Sequence, residues 1–400
     1  MGYELIMNKK HFFLFLFFIF YRSLYSQNAT WTTKASNPFT NGVAASVGFS
    51  INGKGYVCSG AIGPNETKSL WEYDTLTDTW TTKTSIPGLA RDRAFGFSIG
   101  NKGYLGTGLS AGNLLQDFWE YNQVTDSWTQ LPDFPGGPCM EATGFSSSIK
   151  GYAVVGNAFW EFDPVINMWT SKSPFPGQPR GRAIAFVIAD KAYYGMGNPG
   201  ITFSDELWEY DISNDSWTQK TSMPSIQFSN RDFAVAFAIG NNGYVGTGKS
   251  LAGSKDFWQY QPTTDSWNSM PDVLGFTRFA GVGFSIGFVG YVGYGASSSS
   301  PLNDFYAFIP DTSTTEIVEP TSKNDVVIFP NPSKSYIYIQ FNKTEKVKIK
   351  LVDLSGKILI SEITESNYFK LDVSNLNSGI YYMKLESNKS ESYFRKVIIY

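Results

Sequence analysis

Six arginines recur at two fixed distances ahead of a phenylalanine. Aligned on Phe97, Phe186, Phe237 and Phe284, Arg91, Arg180, Arg231 and Arg278 share one upstream position. Arg93 and Arg182 share a second, two residues nearer the phenylalanine. Two further copies of the stretch carry Cys139 and Glu141, and Val43 and Ala45, at these positions. On a symmetric scaffold, equivalent positions form a ring, and a ring of guanidinium groups binds carboxylates or acidic sugars through bidentate contacts. Glu141 makes one side of such a ring different. The same repetition arises when arginines bridge neighbouring units and hold loops, so both readings stay open at this point.

Other chemistries are poorly served. The single histidine, His11, lies in an apolar N-terminal run, so the remainder has no imidazole for a copper or zinc centre or for a Ser-His-Asp or Cys-His arrangement. No cofactor or metal is expected. Glu72, Glu120, Glu161 and Glu209 recur as the middle residue of Trp-Glu-aromatic triplets, which reads as solvated strand positions rather than paired catalytic carboxylates. The Asx-rich turns lack the alternating oxygen ligands of a calcium loop, and no glycine loop opens a helix to cradle phosphate. A net charge of −3 gives no reason to expect nucleic acid. Cys58 and Cys139 are the only cysteines; spacing does not show that they meet, and Cys58 reads as a small buried thiol.

The elements that must position the arginines are strands. The 400 residues are 16% aromatic and 17% charged with 38 glycines, a balance suited to short strands and tight turns. A Gly-Tyr strand centred on Tyr56, Tyr104, Tyr152, Tyr193, Tyr244 and Tyr291 is followed by an aromatic strand at Trp71, Trp119, Trp160, Trp208, Trp258 and Phe305. A turn and a closing tryptophan end the first five units at Trp80, Trp128, Trp169, Trp217 and Trp267. Successive copies are about 41 to 51 residues apart, the period of propeller blades. Trp31, in TWTTK, matches a closing strand with no unit before it, while the sixth unit lacks its own. Pairing the Trp31 strand with the Phe305 strand closes the ring and removes open sheet edges. The expectation is an all-β chain: a six-bladed propeller over 27–311, closed by its N-terminal strand.

The order Arg, Gly-Tyr-x-Gly-x-Gly, Trp-Glu-Tyr-Asp, Asp-x-Trp resembles kelch-repeat propellers over roughly 28–311. It lacks the usual Gly-Gly pair and is more similar to the bacterial, galactose-oxidase-type variant, although that family's copper site needs histidines this chain does not have. The resemblance implies that arginines near the start of the innermost strands line a ligand-binding mouth.

Two segments flank this region. Asn8, Lys9 and Lys10 precede the apolar run Phe12 to Tyr21, with Ser26 and Gln27 as a cleavage point. The run is about ten residues against the roughly 20 that span a bilayer, so 1–26 reads as a signal peptide, with no permanent transmembrane helix expected. After a polar linker at 312–323, residues 324–400 alternate as in KVKIKLVD and predict a small Ig-like antiparallel sandwich. FPNPSKSYIYI, LVDLSGKIL and LDVSNLNSGIYYMKL closely resemble the type A sorting domain of the type IX secretion system. That resemblance implies the type IX machinery as partner, and secretion or outer-membrane surface display in a Gram-negative, Bacteroidetes-type bacterium. The functional expectation is a non-enzymatic module binding an extracellular glycan or protein. Alternatives are an acidic-sugar enzyme such as a sialic-acid mutarotase, using Arg93, Glu141 and Arg182, or a structural surface protein without a small ligand.

Overall fold

Alternate residues of VGFSI at Val47–Ile51 are buried, and the same pattern returns in FGFSI, VAFAI and the other innermost strands. This period of two creates strands with one face turned to a neighbouring sheet. The computed structural model describes residues 29–36, 42–310 and 326–399, apart from 76, 201–202, 225–230, 250–252, 288, 299, 330–334, 342–345, 354–356, 367, 378 and 388–392. The expected signal segment with Ser26 and Gln27, His11, and the linker at 312–323 lie outside the described residues. Every regular helical or extended element among the described residues is a strand.

Six four-stranded antiparallel sheets follow one another along the chain. Sheet I comprises Val47–Ile51, Lys54–Ile62, Asn65–Asp74 and Thr79–Lys83. Sheet II comprises Phe95–Ile99, Lys102–Gly106, Phe118–Asn122 and Ser127–Leu131, and sheet III Thr143–Ser146, Gly151–Val155, Ala158–Asp163 and Met168–Ser171. Sheet IV comprises Ile184–Ile188, Lys191–Gly195, Leu207–Asp211 and Ser216–Lys220, and sheet V Val235–Ile239, Asn242–Gly246, Phe257–Gln261 and Ser266–Met270. Sheet VI joins Val282–Ile286, Val289–Gly293 and Phe305–Ile309 to Thr30–Lys34 from the start of the chain, in the register Trp31 opposite Phe308 and Lys34 opposite Phe305. The innermost strands contact one another in the cyclic order I to VI and back to I.

The packing between sheets explains the Gly-Tyr pairs. At five of the six junctions the phenylalanine of the innermost strand lies against the glycine of the following sheet; sheet IV carries Ala192 at that place. A Cβ at Gly151 would stand 2.2 Å from the Phe97 ring, and one at Gly103 2.5 Å from Phe49. Only a bare α-carbon admits the ring. The tyrosine beside each glycine is buried.

The outer hairpins form a second contact between sheets. Asp78, Asp126, Asp215 and Asp265 have left-handed φ of 54°, 47°, 50° and 47°. Each Oδ1 accepts the hydroxyl of Tyr73, Tyr121, Tyr210 or Tyr260 at 2.6–2.7 Å. The same atom also accepts the N–H of Ala35, Thr84, Ser173 or Thr221, just beyond the outer strand of the preceding sheet, at 2.9–3.0 Å. The closing tryptophans Trp80, Trp128, Trp217 and Trp267 donate their indole N–H to the carbonyls of those same four residues.

Two junctions lack this polar lock. Between sheets II and III, Phe162 and Asn167 stand where the others have Tyr and Asp, opposite Leu131 and Pro132, and proline has no N–H to donate. Trp169 packs there on Phe118, Phe134 and Phe162, each with ring centroids 5.1 Å away. Between V and VI, Met270, Pro271 and Phe308 make the same exchange, although Trp31 still donates to the Pro271 carbonyl at 2.9 Å.

The lock aspartates are acid-sensitive. Burial raises the pKa of Asp215, but the Tyr210 hydroxyl and the Ser173 N–H outweigh it and hold the carboxyl below its ordinary value. A folded pKa below the unfolded value of ~3.9 contributes stability above that pH, and the contribution is lost as pH falls through the folded value. Asp215→Asn is expected to cost at most about 1 kcal/mol at pH 7, because the Asp215 side chain is 36% exposed and screened by solvent. The difference from wild type shrinks toward pH 3 in thermal melts; an equal difference at both pH values would sink the assignment.

Residues 326–399 form two further sheets. One has three strands, Val326–Phe329, Tyr336–Phe341 and Tyr368–Asp372, and the other four, Ile358–Thr364, Val347–Val352, Gly379–Ser387 and Tyr393–Ile399. Ile337, Ile339 and Leu371 of the first share a core with Ile349, Leu351, Met383 and Leu385 of the second.

Candidate functional site

The mouth is built by backbone before any side chain acts. Immediately ahead of the six innermost strands stand Ala45, Arg93, Glu141, Arg182, Phe233 and Ala280. All six are left-handed, with φ between 51° and 64°. Each donates its N–H to the carbonyl of the one before: Arg93 to Ala45 at 3.0 Å, Glu141 to Arg93 at 2.9 Å, Arg182 to Glu141 at 3.1 Å, Phe233 to Arg182 at 3.2 Å and Ala280 to Phe233 at 3.0 Å. Ala45 donates to Ala280 at 2.8 Å and completes the circle. A left-handed non-glycine residue costs about 1–2 kcal/mol, so the closed circle of bonds is what keeps six of them in place.

The cavity over this circle measures about 160 Å³ and is lined by these six residues together with small neighbours such as Ser46 and Gly281. A second space of about 300 Å³ lies further along the same strands, lined by Gly48, Ser50, Ser98 and Ser146 among others.

Arg93, Glu141 and Arg182, all expected at a binding mouth, come together here. Five charges alternate across sheets II to V. Asp232 lies 2.9 Å from Arg182, Arg182 Nε 2.8 Å from Glu141 Oε2, Arg93 Nε 3.6 Å from Glu141 Oε1, and Arg93 Nε 3.9 Å from Asp92. The Arg182 guanidinium also stacks over the Phe233 ring at 4.6 Å. Both arginine side chains are about a third exposed, at 33% and 32%, whereas Glu141 keeps 12%. Burial raises the carboxyls of Asp92 and Asp232; Arg93 and Arg182 respectively pull them back. Glu141 Oε1, Asp92 Oδ1 and Asp232 Oδ1 are buried without a hydrogen-bond partner among the described residues.

The other four arginines are elsewhere. Arg91, Arg231 and Arg278 are 0–1% exposed and Arg180 4%. Arg91 grips Asp117 through two bonds of 2.6 Å, Arg231 holds Asp256 at 2.6 and 2.7 Å, and Arg278 holds Asp304 at 2.7 and 2.8 Å. Arg180 pairs with Glu206 and Ser204. Each also donates to a carbonyl, of Thr107, Met196, Thr247 or Tyr294. None of the four lines the cavity of the mouth. The side-chain partners of each lie within its own unit, so the guanidinium groups hold loops against the third strand rather than reach across to the neighbouring unit.

Sequence reasoning missed Phe233, Asp92 and Asp232, although Phe233 holds the aligned position of Arg93 and Arg182, and both aspartates directly follow a first-position arginine. It also missed the acids Asp117, Glu206, Asp256 and Asp304, although a signal existed. An acid occurs two residues before Trp119, Trp208, Trp258 and Tyr306, in the units that carry the first arginine; Ser69 and Ala158 take its place in the others. The glutamates read as solvated are half-buried acceptors instead. Glu72, Glu120, Glu161 and Glu209 accept the hydroxyls of Tyr56, Tyr104, Tyr152 and Tyr193 directly across the sheet. Cys58 and Cys139 are free thiols, and burial pushes Cys58 up to about 12.

Residues 327–400 match the sequence profile of the secretion system C-terminal sorting domain. This supports export by type IX secretion with attachment at the cell surface, as in Bacteroidetes-type bacteria. The fold is similar to the solved structure of YjhT, a propeller-like chain, with a TM-score of 0.60 and 16% identity over 68% of this chain and 95% of that one. At that identity the likeness speaks to fold alone. No curated protein sequence matches significantly. Among the described residues no helix is long and apolar enough to cross a membrane.

Proposed function

We propose that this chain is an exported six-bladed kelch-type propeller, closed by its N-terminal strand and followed by an Ig-like sorting sandwich, and that its mouth binds an extracellular glycan or protein without transforming it. The observation that carries the reading is the cavity in which Arg93, Glu141 and Arg182 meet, partly open to solvent and held on a circle of backbone bonds. The rigid base lets these side chains recognise a ligand without reordering the chain, which limits the entropy lost on binding. Mature protein applied to glycan arrays and extracellular pull-downs should retain a ligand, and Arg93→Gln should weaken it at least about tenfold, or ~1.4 kcal/mol. Unaltered binding by that variant would remove the mouth from the reading.

One feature favours an acidic-sugar enzyme, such as a sialic-acid mutarotase, as a second reading. The two arginines of the mouth are backed by Asp92 and Asp232, buried carboxyls raised by burial, and such displaced groups are found where protons are transferred. That reading requires faster interconversion of sugar anomers in the presence of the protein and loss of the effect in Arg182→Ala. No acceleration eliminates it.

A further inference from the structure

The charges at the mouth lean negative rather than positive, with three carboxylates set against two guanidinium groups. Arg93 and Arg182 each stand between two carboxylates, Asp92 and Glu141 for the first, Glu141 and Asp232 for the second. Lys249, over the Phe279 ring at 5.0 Å, adds a positive charge near Asp232, and Glu66 adds a negative one near Asp92. No surplus of positive charge is left for an anion.

The two sides of Glu141 differ in what they leave open. Toward Arg182 the ion pair is close, Nε to Oε2 at 2.8 Å though off hydrogen-bond alignment, and the guanidinium is held by Asp232 at 2.9 Å and stacked on Phe233. Toward Arg93 the contact is 3.6 Å, and Arg93 stands 3.9 Å from Asp92 on its other side, both beyond hydrogen-bond length. Among the described residues the Arg93 head otherwise donates only to the Met140 sulfur, at 3.8 Å. Glu141 Oε1 is a buried acceptor with no donor. A ligand filling this gap must accept from Arg93 and donate to Glu141 within one small area. A carboxylate offers acceptors alone and sets like charge against Glu141; an ammonium offers donors alone and faces Arg93. A hydroxyl does both. The cavity of about 160 Å³ is also smaller than the roughly 300–1,000 Å³ of drug-sized ligand sites, which suits one ring rather than a chain.

We infer that the mouth seats the hydroxyl edge of a single uncharged sugar ring, at the end of a glycan, between Arg93 and Glu141, and discriminates against the matching acidic sugar. The inference rests on the reading of the mouth as a binding site.

The test is calorimetric titration of the mature protein with matched pairs: methyl galactoside against methyl galacturonide, and methyl glucoside against methyl glucuronide. The neutral member of at least one pair is expected to bind about tenfold or more tightly than its acidic partner. In Glu141→Gln, which keeps size and shape, the preference should narrow to under about threefold. A melting temperature near wild type shows that this variant is folded, and Arg93→Gln, at a more exposed position, gives an independent loss of neutral-sugar binding. Equal or tighter binding of the acidic members overturns the inference and leaves a glycan-binding mouth standing. If neither class binds, the inference fails; if array and pull-down ligands are then also indifferent to Arg93→Gln, the binding reading fails with it.

Discussion

Arg91→Met is expected to lower the melting temperature by ~10 °C while leaving ligand binding at the mouth intact. The guanidinium is fully buried and makes two bonds to Asp117, one to the Thr107 carbonyl and one to the Leu89 carbonyl. Asp117 is held below its ordinary pKa although burial raises it, because bonds from Arg91 and the Trp119 indole outweigh the burial. Methionine approximates the volume but supplies neither charge nor donors, so Asp117 keeps the Trp119 indole, at 2.6 Å, and a backbone N–H. Breaking a buried pair from one side costs about 3–5 kcal/mol, more than the pair itself contributes, because the remaining charge is stranded. At about 2–4 °C per kcal/mol for a domain of this size class, the shift follows. Adding Asp117→Leu should recover part of the loss, since both polar partners are then gone. A calorimetric loss under about 1 kcal/mol for the single variant would show that these arginines do not hold the sheets.

Removing the Thr30–Lys34 strand has the larger effect: the remaining chain should no longer unfold as one cooperative unit and should associate during gel filtration. This strand pairs along the whole of Phe305–Ile309. Without it, that strand becomes an open edge, a template for pairing with other chains. Trp31 also covers Phe257 and Phe308, with ring centroids 5.0 and 4.8 Å away, and both phenylalanines are otherwise fully buried. Trp31→Ala alone is expected to cost about 3–5 kcal/mol. A synthetic peptide of residues 29–36 should restore the monomer when added to the truncated protein, by completing the sheet in trans. A truncated protein that stays monomeric and melts in one transition near wild type would show that closure contributes little.

Much of this arrangement was readable from residue order. The Gly-Tyr strands, the Trp-x-aromatic strands and the closing tryptophans mark three of the four strands in the sheets, and the orphan Trp31 pointed to a partner at the other end of the chain. The separate fates of the two arginine positions were not readable. Arg91 and Arg93 lie two apart, and in an extended chain such residues face the same way. The left-handed φ of 53° at Arg93 breaks that alternation, so one guanidinium enters the gap between strands and the other reaches the mouth. Nothing in the residue type forecasts left-handed backbone at Arg, Glu, Arg and Phe; the bonds between sheets impose it. The glutamates were misread for a related reason. Glu72 looks solvated along its own strand, and its acceptor role appears only when register sets Tyr56 opposite it. Long-range pairing decides such positions, and a local pattern does not contain it.

The circle of bonds joining Ala45 through Ala280 uses main-chain atoms only, so it works as a collar into which different fittings can be placed. Nature has already set alanine, arginine, glutamate and phenylalanine in equivalent slots without altering the collar. The side chains that face the cavity are therefore decoupled from the frame that carries them. An engineer can change the lining by altering a few side chains, beginning with the two slots held by alanine.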